Sequence, residues 1–588
     1  MDNRNSRAGS VVREVDDDWG AIFERLVLGA RRGELDLSLR LDAAWFPAAR
    51  SPAEMALTLL RDRAGDGPYG TDDVDRYLVW LEQGATQRAT RYGDLLYPAK
   101  VSASWSTPEL ELTAGDFPAQ LGRGVVLSLR KEDALASDTT LRGARGAARL
   151  RAGGLSIRGT VLGGTTNPLR LDPATGRFLG TTGAVQDGIA TVTELGMPRA
   201  VRGPFDRAAV PTYAPDTIAA AELAGGARAL ELGVRGSLLA RSLVARSGRE
   251  VALSPGAARS AARIGTGSVS LSAPDLWGAG SANLEVAGQT LEQGRGVDAG
   301  ALPRGGHGAF ATIVTLAGPL TLTTELRHTR RLFPLLANVD LSRAPEASAL
   351  QWSSAPTTEA FWVDTEFENF ATCVSGGRAR ADVALARGRS VFAWVGRHET
   401  WAESVANERC RTDPSNGNSV WDLATGFELG FAGGRGRGTF TVGTRSDQAG
   451  RPLATADGSG TTRVFYQEAY VRHDLHVPLG GAVALELSGW DRHRVQTLGG
   501  PGAPWVELLH TVGVNVGERW TVAATADGTT DPRVPPTYFG LSGTFRRGAA
   551  LAATLTAGQR RGGQRCVSGV CRMEPPFEGV RADLSLRY

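Results

Sequence analysis

The residues able to do chemistry are few and scattered. Four cysteines occur: Cys373, Cys410, Cys566 and Cys571. Cys566 and Cys571 flank the tetrapeptide VSGV, a loop that a disulfide can close. Cys373 and Cys410 fall in neighbouring links, where a second staple is reasonable. Neither a CxxC pair nor a zinc-like Cys/His cluster is present. No histidine or helix start lies nearby in sequence to activate a thiol, so structural disulfides in an oxidising space are the expectation, not redox catalysis. His473 and His476, three apart in VRHDLH, fall on opposite faces of a strand and cannot share a metal. The acids and glycines of GDGPYGTDD (65–73) do not follow the order of a calcium loop. GGRGRG (433–438) lacks the strand-to-helix context of a phosphate loop and reads as a tight turn. No local signature joins a serine to a histidine and an acid. The expectation is a non-enzyme with no catalytic residue, metal site or cofactor.

What remains is charge set at every second position. The chain ends EGVRADLSLRY. Val580, Ala582, Leu584, Leu586 and Tyr588 share one face of a strand, and Arg581, Asp583, Ser585 and Arg587 share the other. The same pattern recurs in ELDLSLRLD (34–42), ELELTA (109–114), LTLTTELR (320–327) and LAATLTA (551–557). Such alternation argues for strands with one apolar and one wet face. Helical periodicity is confined to PAEMALTLLRDR (52–63) and DDVDRYLVWLEQ (72–83).

The links between strands are more telling. Traced back from the C-terminus, short turns at Arg547-Gly548, Gly517-Glu518, 478–481, 433–436 and 387–389 alternate with longer links. One rim is trimmed and the other carries loops, the asymmetry of outer-membrane barrels. A sheet in hydrocarbon cannot leave edge groups unpaired, so it must close. The expected fold is all-β: a single large antiparallel transmembrane β-barrel of roughly 22–26 strands, with short periplasmic turns and longer outer loops. Residues 1–23 are read as an N-terminal tail and 24–588 as the barrel, whose last strand pairs with the first. Segments 46–97, 164–222 and 331–357 alternate poorly and are candidate lumen inserts or plugs. Arg581, Asp583 and Arg587 are candidate lumen-facing residues.

Composition agrees. The apolar fraction is 42%, because only half of each strand must be apolar, and Gly is 75 of 588. Net charge is +3, which gives no reason to expect a nucleic-acid partner. Lys100 and Lys131 are the only lysines, so the basic charge is almost wholly arginine. No apolar run is long enough for a transmembrane helix. MDNRNSRAGSVVREVDDDWG opens on an acid and has no apolar signal region, which points to a start assigned too far downstream or to a mature form.

Three segments, GDFPAQLGRGVVLSLRK (115–131), DTTLRGARG (138–146) and residues 558–588, resemble an uncharacterised porin-like outer-membrane β-barrel protein family of Gram-negative bacteria. LGRG (121–124) and the Cys566–Cys571 stretch are the most specific parts. The resemblance implies the bacterial outer membrane, with lipid and lipopolysaccharide as surroundings and Tyr588 as the terminal aromatic read by the insertion machinery. It carries over no functional residue. The functional expectation is a porin-like channel or transporter passing polar solutes. The alternative is a non-conducting surface scaffold, adhesion or assembly barrel presenting disulfide-stapled outer loops. SVVREV (10–15) is similar to the coupling segment of plugged receptors, but alternation begins at Leu35, too early for a folded plug.

Overall fold

The computed structural model describes residues 22–45, 97–129, 131–132, 137–168, 217–227, 229–240, 261–276, 278–293, 305–332, 373–386, 388–400, 418–454, 461–496, 503–532, 536–561, 563–567, 570–574 and 577–587. In chain order the strands are β1 (Ile22–Arg32), β2 (Leu35–Trp45), β3 (Tyr97–Ser106), β4 (Leu110–Phe117), β5 (Ala119–Leu121), β6 (Leu127–Leu129), β7 (Lys131–Glu132), β8 (Ser137–Ala152), β9 (Leu155–Pro168) and β10 (Thr217–Ala227). They continue as β11 (Leu230–Ala240), β12 (Ala261–Ala273), β13 (Gly280–Gln293), β14 (Gly305–Ala317), β15 (Leu320–Arg330), β16 (Cys373–Ala386), β17 (Arg389–Thr400), β18 (Asn418–Phe431), β19 (Gly436–Ala454) and β20 (Thr461–Gly480). The last are β21 (Val483–Gln496), β22 (Trp505–Val516), β23 (Trp520–Thr529), β24 (Thr537–Arg547), β25 (Leu551–Arg560), β26 (Gly563–Val567), β27 (Val570–Glu574) and β28 (Phe577–Leu586). The described residues contain no α-helix; the one helical element is a 3-10 turn at Ala432–Gly434.

The chain is a large antiparallel β-barrel. Its sheet holds 24 strands, one of which is the two-residue stub β7 beside β8. The 23 wall strands, β1–β4, β8–β25 and β28, pair with their neighbours in sequence order, every pair antiparallel. Links on one rim run two to six residues, from 33–34 to 548–550; those on the other reach 51 residues at 46–96. The short turns are tight because glycine takes the left-handed conformation there, as at Gly517 (φ 63°) and Gly548 (φ 56°).

Period two sets the faces. Leu223, Val234, Val269 and Val286 lie side by side across β10–β13 on the exposed face. Their chain neighbours Glu222, Arg235, Ser268 and Glu285 are buried on the other; Leu223 is 61% exposed and Glu222 is 9% exposed. An apolar outer face and a polar inner face are what lipid outside and water inside require.

Three expectations need adjustment. Residues 164–168 and 217–222 belong to wall strands β9 and β10; Gly163-Gly164 and the alanine run at 219–221 had blurred their alternation. The remainder of 164–222, residues 46–96, both helical candidates and 333–357 lie outside the described residues. The first and last strands do not seal to each other here: among the described residues β1 pairs with β2 alone and β28 with β25 alone.

Candidate functional site

The inner face of the wall carries three zones. The first lies along β8–β14 and is covered from inside by a hairpin. After β4 the chain turns inward, and β5 pairs with β6 across Gly122–Val126. Gly122 and Gly124 hold φ of 53° and 89°, and the Gly124 N–H donates to the Leu121 carbonyl at 2.9 Å. A Cβ on Gly122 would fall 2.2 Å from the Arg235 guanidinium, so any larger residue would have to displace that side chain, and the positive φ favours glycine as well. Leu121, Leu127 and Leu129 pack on Leu141, Leu162, Ile218, Leu239, Ile264 and Leu291. Ile218, Leu239, Ile264 and Leu291 all stand within three residues of the long-loop ends of their strands. Val125 joins Ala287, Phe310 and Leu332. Ser237 Oγ donates to the Val126 carbonyl at 3.2 Å, and Arg123 Nη1 donates to Asn283 Oδ1 at 3.3 Å. Beneath the hairpin, Arg235 donates to Glu222 and Ser270, each at 2.8 Å, and Ser268 donates to Glu285 at 2.7 Å.

The second zone is arginine on aromatic faces. Arg378 sits 4.6 Å over Trp394, Arg380 sits 4.5 Å over Phe392, and Arg327 lies 5.9 Å from the Phe310 ring centre. Trp394 Nε1 donates to Asp422 Oδ2 at 2.9 Å, and Arg380 donates to both Asp382 oxygens. Stacking and forked hydrogen bonds hold these guanidiniums at fixed positions.

The third zone is an ionic network across β20–β25. Glu507 receives Arg561 at 2.9 Å, Arg494 at 3.0 Å and Arg492 at 3.2 Å. Arg494 reaches Glu468 at 3.4 Å and donates to the Tyr466 hydroxyl at 2.9 Å; that hydroxyl donates to Glu468. Arg561 also meets Asp527 at 3.2 Å. Arg445 and Asp447 form a separate buried pair at 2.7 Å.

The residues singled out in the sequence fall as follows. Arg581 and Asp583 are joined at 3.0 Å and stand opposite Thr556 and Thr554, on the face that register connects to Asp527 and Glu507. The backbone N–H of Arg587 donates to the Ala550 carbonyl at the trimmed rim. Cys566 and Cys571 are directly opposite in the β26–β27 hairpin, and Cys373 begins β16 at the long-loop rim. Cys410, residues 65–70, the acids at 72–73 and Tyr588 lie outside the described residues. His476 faces inward toward Glu486 at 3.4 Å, whereas His473 faces outward.

Two arrangements were not legible in the sequence. His473 stacks on His510 at 5.3 Å, and His510 Nε2 lies 2.9 Å from Asp491 Oδ1, all on the outer face. His328 Nδ1 is hydrogen-bonded to Ser375 Oγ, also on the outer face. These partners sit on neighbouring strands, and only register reveals them. Among the described residues, no group of three or more His, Cys, Asp or Glu is placed to hold a metal.

The sequence matches no family model and no curated protein. Among solved structures, the siderophore receptor PirA from Pseudomonas aeruginosa is similar at 10% identity and a TM-score of 0.39, over 78% of this chain and 71% of that one. The copper transporter OprC gives 11% and 0.39, over 82% and 77%. The P pilus usher PapC translocation pore gives 10% and 0.36, over 97% and 96%.

Proposed function

We propose that the chain is an outer-membrane channel or transporter for polar solutes, with the inner wall of β14–β25 as the path. The observation that carries this reading is the sorting of charge. Arginines and carboxylates of the second and third zones line the inner face, while the outer face of the same strands is mostly Val, Leu, Ala and aromatic. A barrel of this size has a lumen wider than wall side chains alone can fill. Rings of fixed charge along such a lumen set which solutes pass. The test is single-channel current from the refolded protein in a planar bilayer, with heat-modifiable gel mobility as the control for a closed barrel. Stable current steps with a reproducible ion preference are expected. A closed barrel that stays silent overturns the open-path reading.

A second reading has its own observation. The β5–β6 hairpin occupies the inner face of β8–β14 with a dry apolar contact, as a plug does. A silent, heat-modifiable barrel would favour a closed scaffold that presents its outer loops, with Cys566–Cys571 stapling one of them.

A further inference from the structure

We propose that the outer face of β20–β22 is a contact surface for a second copy of this chain, centred on His473, Asp491 and His510. The observation is polarity at a depth where the wall is otherwise apolar. Counted from the trimmed rim, His510 is the seventh residue of β22, His473 the eighth of β20 and Asp491 the ninth of β21. At the same heights other strands present Val286, Leu326 and Val395 at the seventh residue and Leu238, Leu423 and Phe539 at the ninth, each at least 46% exposed. With about 3.3 Å per residue and a tilt of about 45°, these positions stand roughly 16–21 Å above that rim, inside an apolar band about 25 Å tall. Outer-face ion pairs such as Arg263–Glu292 and Arg397–Glu399 instead lie within four residues of the long-loop ends, where water and headgroups reach them.

Register sets His473, Gly489 and His510 side by side across the three strands. A Cβ on Gly489 would fall 2.3 Å from the Leu509 carbonyl oxygen and 2.7 Å from His510 Nδ1, so glycine lets the two imidazoles meet across β21. They stack at 5.3 Å with 21° between the ring planes, and His510 Nε2 lies 2.9 Å from Asp491 Oδ1. The side chains of His510 and Asp491 remain 34% and 49% exposed. His493, two residues further along β21, is exposed on the same face.

Lipid tails offer such groups no hydrogen bond, so an ionisable cluster at this depth calls for a polar partner, which means protein. The cluster itself defines that partner. A carboxylate accepts several hydrogen bonds, and an imidazole donates one when neutral and two when protonated. Donors and acceptor thus stand on one patch. A twofold axis through it sets the Asp491 carboxylate of each copy against the imidazoles of the other. The flanking outer residues Val471, Val512, Ala524 and Ala526 are small enough for the two walls to approach closely.

The test replaces Val512, outside the cluster but on the same face, with the photo-crosslinking residue benzoylphenylalanine. This chain is refolded into lipid vesicles together with an equal amount of 15N-labelled parent chain, and the heat-modifiable barrel is irradiated. The expected product joins position 512 to 15N-labelled tryptic peptide 473–492 or 495–519, which only a second copy can supply. The same residue at position 238, on β11, is expected to capture no labelled peptide. With Asp491→Leu/His510→Leu in both chains, the labelled product is expected to disappear while the heat-modifiable band remains. Three outcomes overturn the proposal: position 512 in the parent background capturing lipid alone, labelled capture confined to peptides outside 473–519, or an undiminished labelled product in the leucine variant. The inference needs the outer face to meet lipid but does not need the lumen to conduct, so it and the channel reading fail separately.

Discussion

The hairpin over the first zone is held by leucine, and removing two leucines should release it. Leu121 and Leu127 are each 1% exposed. Their partners are lumen side chains, so the alternative to burial is lumen water, not lipid, and the full hydrophobic effect applies. Truncating a buried leucine to alanine costs about 2–5 kcal/mol. The polar contacts of the hairpin to the wall, from Ser237 and Arg123, contribute about 0.5–1.5 kcal/mol each. In the Leu121→Ala/Leu127→Ala variant even the low end, about 4 kcal/mol, shifts the docked-to-released ratio by roughly a thousandfold. Arg123 at the hairpin tip provides the assay. Trypsin cleavage there follows the released population when docking is fast relative to cleavage. The parent should resist cleavage at Arg123, and the double variant should be cut there at a greatly increased rate while keeping its heat-modifiable mobility. Leu121→Met, which conserves volume and costs less than about 1.5 kcal/mol, should stay close to the parent. If the barrel conducts, the double variant should also carry a larger and noisier current. Equal cleavage of parent and double variant at Arg123, in intact barrels, would refute the idea that apolar burial docks the hairpin.

Other outcomes follow from the wall itself. Cys566 and Cys571 are opposed in register, and opposed antiparallel pairs have Cα atoms about 4.5–5.5 Å apart, within the range a disulfide bridges. The non-reduced peptide containing both should be two hydrogens lighter than the reduced one; ready alkylation of both thiols without reductant would count against the bridge. Leu223→Arg on the outer face should lower stability in urea by about 2–4 kcal/mol in a lipid-mimetic environment, whereas Thr556→Arg on the inner face should be tolerated. Equal losses would contradict the assignment of faces. Glu507→Gln should cost toward the low end of about 3–5 kcal/mol, because its partners are only partly buried, and should move the reversal potential in a salt gradient toward anion preference.

The wall was legible because period two is a local signal. Leu35, Leu37, Leu39 and Leu41 alternate with Asp36, Ser38, Arg40 and Asp42, and β2 follows. Link lengths added the two rims. The hairpin is hard to read as an insert because it is short and lies within the single link between β4 and β8. Its signal was the short apolar run Val125-Val126-Leu127-Ser128-Leu129, which no two-faced wall strand needs and which marks a segment buried on both sides. LGRG was visible, but nothing local says that Gly122 makes room for Arg235, 113 residues away. The third zone hid for a similar reason. Arg492 and Arg494 share a face by spacing alone, but their convergence with Arg561 on Glu507 is a matter of sheet curvature and register.

If the barrel is a path for solutes, the balance of that network sets which of them it favours. Glu468, Glu507 and Asp527 face Arg492, Arg494 and Arg561, three charges of each sign within contact distance. Paired charges of equal number cancel at a distance and leave a corrugated field close to the wall. Arg445 and Asp447 add a neutral pair beside them. Such a surface steers bulk ions weakly but offers both donors and acceptors to a polar solute moving along it. In the second zone the arginines instead lie over Trp394 and Phe392, with Asp382 as the carboxylate bound to Arg380. The two zones therefore act differently on a solute that passes both. The aromatic–arginine zone presents planar cationic faces, and the network presents alternating charge. Removing one carboxylate from the balanced zone leaves a net positive wall where there was none, which is why Glu507→Gln, close to Glu in shape but uncharged, is predicted to change ion preference.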